Sequence, residues 1–304
     1  MSKATLGLTG ASGFVGQVTL RLAMAQGWHV RALVRSKQEP LEGVTWVYGA
    51  LDQSEAVTKM AEGCDAILHI AGVVNAPDLA GFEAGNVAGT LAVVEAARAA
   101  NVERFIHVSS LAAREPQLSN YGASKAKAEV IVQASGLDWT MVRPPAVYGP
   151  GDRDNLELFK MAKLGFVTLP PAGKMSLIHV DDLARLLLGV IPFPEARSKI
   201  YEPDDGVTGG WTHQSFAKAI GWALGKNVAT LSLPRVVLMA GAKLDRIFRG
   251  KNARLTADRV GYFCHTDWVA DTERAVPIEI WAPKITSREG LKATAEAYRA
   301  AGWL

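Results

Sequence analysis

The chain has 304 residues, and its 33 Lys and Arg against 30 Asp and Glu give a formal net charge of +3. Hydrophobic residues make up 49% and charged residues 21%, which excludes a disordered chain and provides for a buried core. Because the basic residues are scattered, no nucleic-acid surface is expected, and no apolar run approaches the roughly 20 residues of a membrane span. An α/β protein of enzyme size is the class that remains.

Short apolar runs alternate with amphipathic stretches through the first half of the chain. Strands are predicted at 4–9, 29–34, 45–48, 66–70, 104–109 and 139–142, with helices at 14–26, 53–62, 80–100 and 120–135. This alternation predicts right-handed βαβ units and a doubly wound parallel sheet covered on both faces.

Prolines at 144–145 and 170–171 interrupt this pattern. Segments 176–191 and 198–203 are expected to return to the sheet, and helices are predicted at 212–224, 234–248 and 287–301. We therefore expect a sheet domain over residues 1–170, with parts of 171–205 returning to it. A smaller, mostly helical lobe should occupy 206–304, near the carboxyl edge of the sheet where ligands bind in such folds.

Two isolated cysteines, Cys64 and Cys264, predict free thiols in a reducing cytoplasm rather than a disulfide framework. The six histidines include no pair four residues apart, so no metal site is expected. The first three residues lead into a short apolar stretch that lacks the core of a signal peptide. We expect a cytoplasmic protein without a bound metal.

A glycine-rich turn follows the first predicted strand and reads Thr9-Gly10-Ala11-Ser12-Gly13-Phe14-Val15-Gly16. In such a strand–turn–helix unit Gly10 permits the tight turn, Gly13 admits a pyrophosphate, and Gly16 lets helix and strand pack closely. The free N–H groups at the helix start would hold the diphosphate. The turn therefore predicts a dinucleotide site that includes Ser12, Phe14 and Val15.

The end of the second predicted strand indicates which dinucleotide would bind. Arg35 and Lys37 follow this strand, and no carboxylate occurs before Glu39. An acidic residue there would suit the ribose hydroxyls of NAD, whereas a guanidinium suits the 2′-phosphate of NADP. The pattern favours NADP, with NAD as the alternative cofactor and solvated loop cations as the alternative reading of Arg35.

Tyr121 and Lys125 lie four residues apart on a predicted helix and so share one face. A nearby ammonium favours the phenolate, which moves a tyrosine pKa toward the range useful for proton transfer. Ser109 and Ser110 end the preceding strand, so their hydroxyls are expected at the carboxyl edge of the sheet.

With these pieces, the first 190 residues resemble the extended short-chain dehydrogenase/reductase superfamily, which contains the NAD-dependent epimerases and dehydratases. The C-terminal region more loosely resembles the branch of dihydroflavonol reductases and 3β-hydroxysteroid dehydrogenases. The segments that carry the resemblance are Thr9–Gly16, His69–Gly72, Asn86–Thr90, Val108–Ser110, Tyr121–Lys125, Arg143–Gly149 and Ile178–Asp182. The resemblance implies a Rossmann-type NAD(P)-binding domain over 1–170 and a substrate-binding lobe over 206–304.

The resemblance also implies roles for individual residues. Tyr121 would be the general acid/base, Lys125 would bind the nicotinamide ribose and lower the pKa of Tyr121, and Ser110 would polarise a substrate carbonyl, with Ser109 as the alternative. Ala71, Gly72, Pro144 and Pro145 would contact the cofactor.

Two segments depart from the superfamily pattern. Where relatives carry Gly-Asp-Leu beside the adenine, this chain has Gly49-Ala50-Leu51. The adenine would be held either by backbone and packing alone, with Leu51 beside it, or by Asp52 in place of the missing carboxylate. Met175-Ser176-Leu177 replaces the Arg-Asp-Tyr that is common in nucleotide-sugar epimerases, which disfavours a sugar-nucleotide substrate.

The leading hypothesis is an NADP-dependent oxidoreductase that acts on a carbonyl or secondary alcohol of an apolar small molecule. An epimerase or dehydratase with bound NAD, and a non-catalytic dinucleotide-binding regulator or respiratory-complex accessory protein, are the alternatives. Val73, Val74, Leu79 and Phe82 would form an apolar substrate wall or, equally, pack a helix. A homodimer through the helices near 80–100 and 120–135 is expected from the superfamily.

Overall fold

The computed structural model describes residues 4–250, 253 and 255–304. It divides into two compact units. The first comprises residues 1–144, 183–202 and 274–282, and the second comprises residues 145–182, 203–273 and 283–304. The division of the chain into an NAD(P)-binding domain and a substrate-binding lobe stays a prediction.

A seven-stranded sheet forms the centre of the first unit. Its strands are β1 (Thr5–Thr9), β2 (His29–Val34), β3 (Val44–Tyr48), β4 (Ala66–His69), β5 (Arg104–Val108), β6 (Asp138–Val142) and, from later in the chain, β11 (Lys199–Tyr201). Every pairing is parallel, in the order β11-β6-β5-β4-β1-β2-β3. The order reverses between β1 and β4, so the predicted doubly wound parallel sheet is confirmed.

Helices connect these strands and follow the predicted bounds closely. They are α1 (Phe14–Ala25), α2 (Ser54–Ala61), α3 (Leu79–Phe82), α4 (Gly89–Ala99) and α5 (Asn120–Gln133). The segment predicted as one helix over 80–100 is α3 and α4 joined by a π-helical turn, Glu83–Ala88. A core of β-branched, aromatic and aliphatic side chains, including Val93, Phe105 and Met141, lies between sheet and helices.

The second unit is built mainly from helices with short strands. Its strands are β7 (Ala146–Tyr148), β8 (Phe166–Leu169), β9 (Lys174–Met175), β10 (Leu177–His179), β12 (Trp211–Thr212), β13 (Ala229–Ser232) and β14 (Asp267–Trp268). Its helices are α6 (Leu156–Lys163), α8 (His213–Ala223), α9 (Arg235–Arg249), α10 (Ala257–Phe263) and α11 (Ser287–Ala300), while α7 (Val180–Gly189) begins in this unit and ends in the first.

The two segments predicted to return to the sheet behave differently. Lys199–Tyr201 adds β11 beside β6 in the large sheet. Leu177–His179 instead forms β10, which pairs with β7. No helix in the described part of the chain is both long and apolar enough to cross a bilayer.

Candidate functional site

The glycine-rich turn after β1 is a tight backbone turn with no space for side chains at two of its glycines. Gly10 has a φ of +77°, and an added Cβ would lie 2.8 Å from the backbone nitrogen of Ala71. A Cβ on Gly16 would lie only 1.9 Å from the Gly10 carbonyl oxygen. The turn is closed by the Gly13 N–H, which donates to that oxygen at 2.9 Å. Only glycine fits at positions 10 and 16.

Helix α1 starts beside this turn with an uncapped N-terminus. Gly13 is the N-cap and offers no side chain, and the first turn carries no acidic residue. Ser12 is exposed, while Phe14 and Val15 are half-buried. Backbone N–H groups of a first helical turn lack partners within the helix, so this end attracts anions. The residues present therefore fit a dinucleotide diphosphate.

Replacing Gly16 by Ala is expected to abolish measurable dinucleotide binding and to destabilise the fold by about 2–4 kcal/mol, because the new methyl group would collide with the rigid Gly10 carbonyl. Gly189→Ala is the matched control, since its Cβ would meet nothing closer than 3.9 Å. Urea denaturation and cofactor fluorescence measure the two effects. Wild-type binding by the Gly16→Ala protein would contradict the role given to this turn.

The residues predicted to bind the 2′-phosphate lie after β2, and those predicted beside the adenine lie after β3. Arg35 and Lys37 are exposed, and neither forms an ion pair with another residue in the part of the chain that the structure describes. Asp52 is exposed and Leu51 is half-buried beside Gly89. Both segments follow the carboxyl ends of neighbouring strands, at the edge where Gly10 also lies.

A buried hydrogen-bonded chain links β1 to β4. Thr9 Oγ1 lies 2.7 Å from His69 Nδ1 and accepts the Ala71 N–H at 3.1 Å, while His69 Nε2 lies 3.1 Å from Thr90 Oγ1. Burial, with the nearby Lys125 ammonium as a second cause, lowers the pKa of His69 to about 3. A neutral imidazole thus fixes the start of the loop that contains Ala71 and Gly72.

Gly72 lies next to the Lys125 ammonium. A Cβ at Gly72 would be 3.0 Å from Asn86 Oδ1 and 3.8 Å from Lys125 Nζ. Asn86 is held on both sides, because its Oδ1 accepts the Val73 N–H at 2.7 Å and its Nδ2 donates to Ser124 Oγ at 2.8 Å. The structure therefore brings together Gly72 and Lys125, two predicted site residues that lie 53 positions apart in the sequence.

Lys125 is almost wholly buried at the carboxyl end of β5. Its Nζ donates to the Val108 carbonyl at 2.7 Å. Burial lowers the pKa of Lys125 to about 8, against the opposing effect of the Glu129 carboxylate. A buried ammonium is costly unless it is well partnered, which makes this position a candidate for function.

Tyr121 stands one helical turn before Lys125 on α5 and is half-buried. Ser119 caps this helix by accepting the Gly122 N–H at 2.9 Å, which fixes where the helix begins. The Tyr121 ring lies 6.1 Å from that of the buried Phe82. Of the other residues proposed for an apolar wall, Val74 and Leu79 are exposed and Val73 packs against Gly85.

The two serines at the end of β5 differ in what their hydroxyls do. Ser109 is buried and donates to Glu129 Oε1 at 2.5 Å. Ser110 is half-buried, and its Oγ accepts the Ala112 N–H at 3.2 Å as a short 3-10 helix begins. The Ser109 hydroxyl proton is thus committed to a carboxylate, so Ser110 is the better candidate to donate to a substrate.

Glu129 belongs to a buried ionic network that sequence reasoning missed. Arg143 donates to both oxygens of Glu129, at 2.8 and 2.6 Å, and to Glu202 at 3.2 Å. Arg114 donates to the other oxygen of Glu202 at 3.1 Å. The network joins β5, α5 and the end of β6, and so holds α5 against the strand end that carries the two serines. A buried Glu and Arg that lie far apart in sequence give no local signal of such a pair.

The remaining predicted site residues, Pro144 and Pro145, follow β6 in the chain. Pro144 is buried in the first unit, and its carbonyl accepts the Leu111 N–H at 3.1 Å. Pro145 is half-buried and begins the second unit. His179 is buried with its ring edge-on to that of Tyr148, and its Nδ1 accepts the Asp181 N–H at 3.2 Å. Across the described residues, no cluster of three or more His, Cys, Asp or Glu could hold a metal ion.

Residues 10–191 match the model of a family described as NAD(P)H-binding. Over its whole length the chain is 36% identical to a ceramide reductase of Caulobacter vibrioides, of which it covers 97%. It is 26% identical to a UDP-glucose 4-epimerase of Vibrio cholerae, over 98% of this chain and 96% of the relative. The crystal structure of gox2253 has the same fold, with a TM-score of 0.80, 20% identity and complete coverage of both chains.

Proposed function

The chain belongs to the NAD(P)H-binding family within the extended short-chain dehydrogenase/reductase superfamily and is an NAD(P)-dependent enzyme of the reductase and epimerase type. From this premise we propose that it reduces the carbonyl group of an apolar molecule with NADPH. Residues 206–304 are the proposed substrate-binding lobe.

The observation that carries this proposal is the arrangement around Lys125. Its ammonium is buried against the Val108 carbonyl and faces Gly72, on the helix that also carries Tyr121. The arrangement supports Lys125 as the group that binds the nicotinamide ribose. Asn86 and Ser124 support it indirectly, because they hold the Gly72 loop and α5 at a fixed separation.

The protein side of the reaction follows from three side chains. NADPH, when bound, supplies the hydride that adds to the carbonyl carbon. The Ser110 hydroxyl donates a hydrogen bond to the carbonyl oxygen and orients it. The Tyr121 phenol then transfers its proton to that oxygen, which gives the alcohol. The positive charge of Lys125 stabilises the phenolate that this transfer leaves behind.

The substrate class is proposed from the relative that matches the chain throughout. That relative is named a ceramide reductase, so a carbonyl on a long-chain lipid is the proposed substrate. The absence of an Arg-Asp-Tyr segment at Met175-Ser176-Leu177 also disfavours a sugar nucleotide. The full-length similarity to a UDP-glucose 4-epimerase makes an epimerase the second candidate.

A substrate panel separates the two candidates. NADPH oxidation would be followed with long-chain oxo-lipids in mixed micelles, and UDP-glucose epimerisation would be assayed in parallel on the same preparation. We expect lipid-dependent NADPH oxidation and no epimerisation. Epimerisation of UDP-glucose by protein that copurifies with NAD would overturn the proposal in favour of the second candidate.

Arg35→Ala is expected to weaken NADPH binding by about 10- to 100-fold and to leave NADH binding unchanged, because only NADPH carries the 2′-phosphate. Arg98→Ala is the matched control, since Arg98 is equally exposed but ends a helix at the opposite edge of the sheet. Fluorescence titration of both cofactors measures the change. Equal affinities of the wild-type protein for NADPH and NADH would rule out the assigned role of Arg35.

A further inference from the structure

Helix α9 (Arg235–Arg249) exposes its apolar side rather than burying it. The exposed apolar side chains are Val236, Val237, Leu244, Ile247 and Phe248, and the exposed fractions of Val236, Ile247 and Phe248 are 79%, 75% and 83%. At 100° per residue, all five fall within one third of the helix circumference. Soluble proteins rarely expose such a continuous apolar stripe unless something binds to it.

Residues of α9 outside the apolar stripe pack on the protein. Ala242 is the buried residue of this helix. Asp245 accepts the Leu255 N–H at 2.9 Å, and a Cβ on Gly241 would lie 3.5 Å from the Leu255 side chain. The helix thus contacts the second unit through residues outside the apolar stripe, and the stripe stays exposed.

The charges on α9 indicate what covers the stripe. The helix carries Arg235, Lys243, Arg246 and Arg249 against the single carboxylate of Asp245, a net charge of 4 − 1 = +3. That equals the net charge of the entire chain. In the sequence Lys251 and Arg254 follow, outside the described residues. Arg249 pairs with Asp245 at 3.3 Å, and Lys243 lies at the margin of the stripe.

A helix with an apolar stripe on one side and cations around the rest of its circumference fits a membrane surface, which is apolar inside and carries anionic head groups outside. We propose that α9 is an interfacial helix that docks the protein on an anionic lipid bilayer, with Phe248 and Ile247 inserted among the acyl chains. Its 15 residues span about 22 Å, too short to cross the roughly 30 Å hydrocarbon core, so the helix lies in the plane of the interface. The inference does not depend on the identity of the substrate.

Vesicle cosedimentation tests this inference. The intact protein would be mixed with vesicles of phosphatidylcholine containing 30% phosphatidylglycerol, or with phosphatidylcholine alone, at low and high salt. We expect at least tenfold stronger binding to the anionic vesicles at low salt, and a large decrease of that binding at high salt.

One double variant and one single variant locate the contact. Ile247→Glu with Phe248→Glu should abolish binding, whereas Ile278→Glu, at a position that is 78% exposed in the first unit, should bind like the wild type. Thermal unfolding checks that both variants fold. Equal binding to both kinds of vesicle, or unchanged binding of the α9 variant, would overturn the proposal. So would failure to bind vesicles combined with a dimer that the α9 variant dissociates, since a second copy would then cover the stripe.

Discussion

Tyr121→Phe is expected to lower the turnover number by about 10²–10⁴-fold, while the affinity for NADPH stays close to that of the wild type. The substitution removes one oxygen atom and the proton that the mechanism transfers to the substrate. It keeps the aromatic ring that lies 6.1 Å from the Phe82 ring, so the start of α5 should not move. A loss in turnover without a loss in cofactor binding is the signature of a proton donor.

Tyr48→Phe is the matched control, because Tyr48 is an exposed phenol at the end of β3. It should show wild-type turnover. The measurements are initial rates of NADPH oxidation with the proposed long-chain oxo-lipid substrate and NADPH titration by fluorescence. Full turnover by Tyr121→Phe would remove Tyr121 from the mechanism and leave the enzyme without the proposed acid.

Comparison of Ser109→Ala with Ser110→Ala extends this argument to the strand end. The Ser109 hydroxyl already donates to Glu129, so Ser109→Ala would mainly disturb the buried Glu129–Arg143 pair and lower the stability of the fold. The Ser110 hydroxyl accepts only a weak contact from Ala112 and is the one that can donate to a carbonyl oxygen. The pattern of residues in the sequence does not distinguish two neighbouring serines; their burial does.

The sheet could be predicted from the sequence because each strand and helix has its own periodicity and its own ending. The turn Gly10–Gly16 carries local information about backbone geometry. The predicted bounds of the strand before it and of the helix after it agree with β1 and α1 to within one residue. By contrast, the π-helical turn in residues 83–88 has the same apolar pattern as a regular helix, so the sequence predicted one helix over 80–100.

Contacts between distant parts of the chain were beyond sequence reasoning. Asn86 was noticed only as part of a resembling segment, yet it joins the Gly72 loop to Ser124 on α5. The pairing of Arg143 with Glu129 and Glu202 depends on three elements meeting, which no local pattern encodes. By contrast, the sequence predicts the return of residues 198–203 to the sheet, and Lys199–Tyr201 forms β11 beside β6.

His107 is another buried residue whose surroundings the sequence did not predict. It is fully buried in β5, its ring lies 5.3 Å from that of His69, and neither of its ring nitrogens has a hydrogen-bond partner within the described residues. Burial and the neighbouring charges of Lys125 and His69 lower the pKa of His107 well below the ordinary value. Both rings are therefore neutral in the folded protein at pH 7.

Acidification is consequently expected to destabilise the fold. In the unfolded chain the two imidazoles titrate near the ordinary pKa of about 6.5, but in the folded state the pKa of His69 is about 3 and that of His107 is also strongly lowered. Between these values the unfolded state binds more protons, so the free energy of unfolding falls as the pH falls. Well below pH 6.5, each histidine contributes about 1.4 kcal/mol per pH unit, and the pair contributes about 2.8 kcal/mol per pH unit.

His107→Leu is expected to reduce this slope by about 1.4 kcal/mol per pH unit below pH 6.5, because it removes one of the two protons taken up on unfolding. Stability at pH 7.5 should be retained, since no hydrogen bond is lost and an apolar side chain replaces a buried polar one. Met141→Leu, at the position opposite His107 on β6, is the control for a core substitution that leaves protonation unchanged.

The difference between the slopes of the variant and the wild type isolates His107 from the carboxylates and from His179 and His213, whose pKa values burial also lowers. Urea denaturation at half-unit intervals between pH 4.5 and 7.5 supplies the slopes. If His107→Leu and the wild type lost stability in parallel, His107 would have to be solvated or already protonated in the folded state. The loss of stability at low pH would then come from titrating groups other than His107.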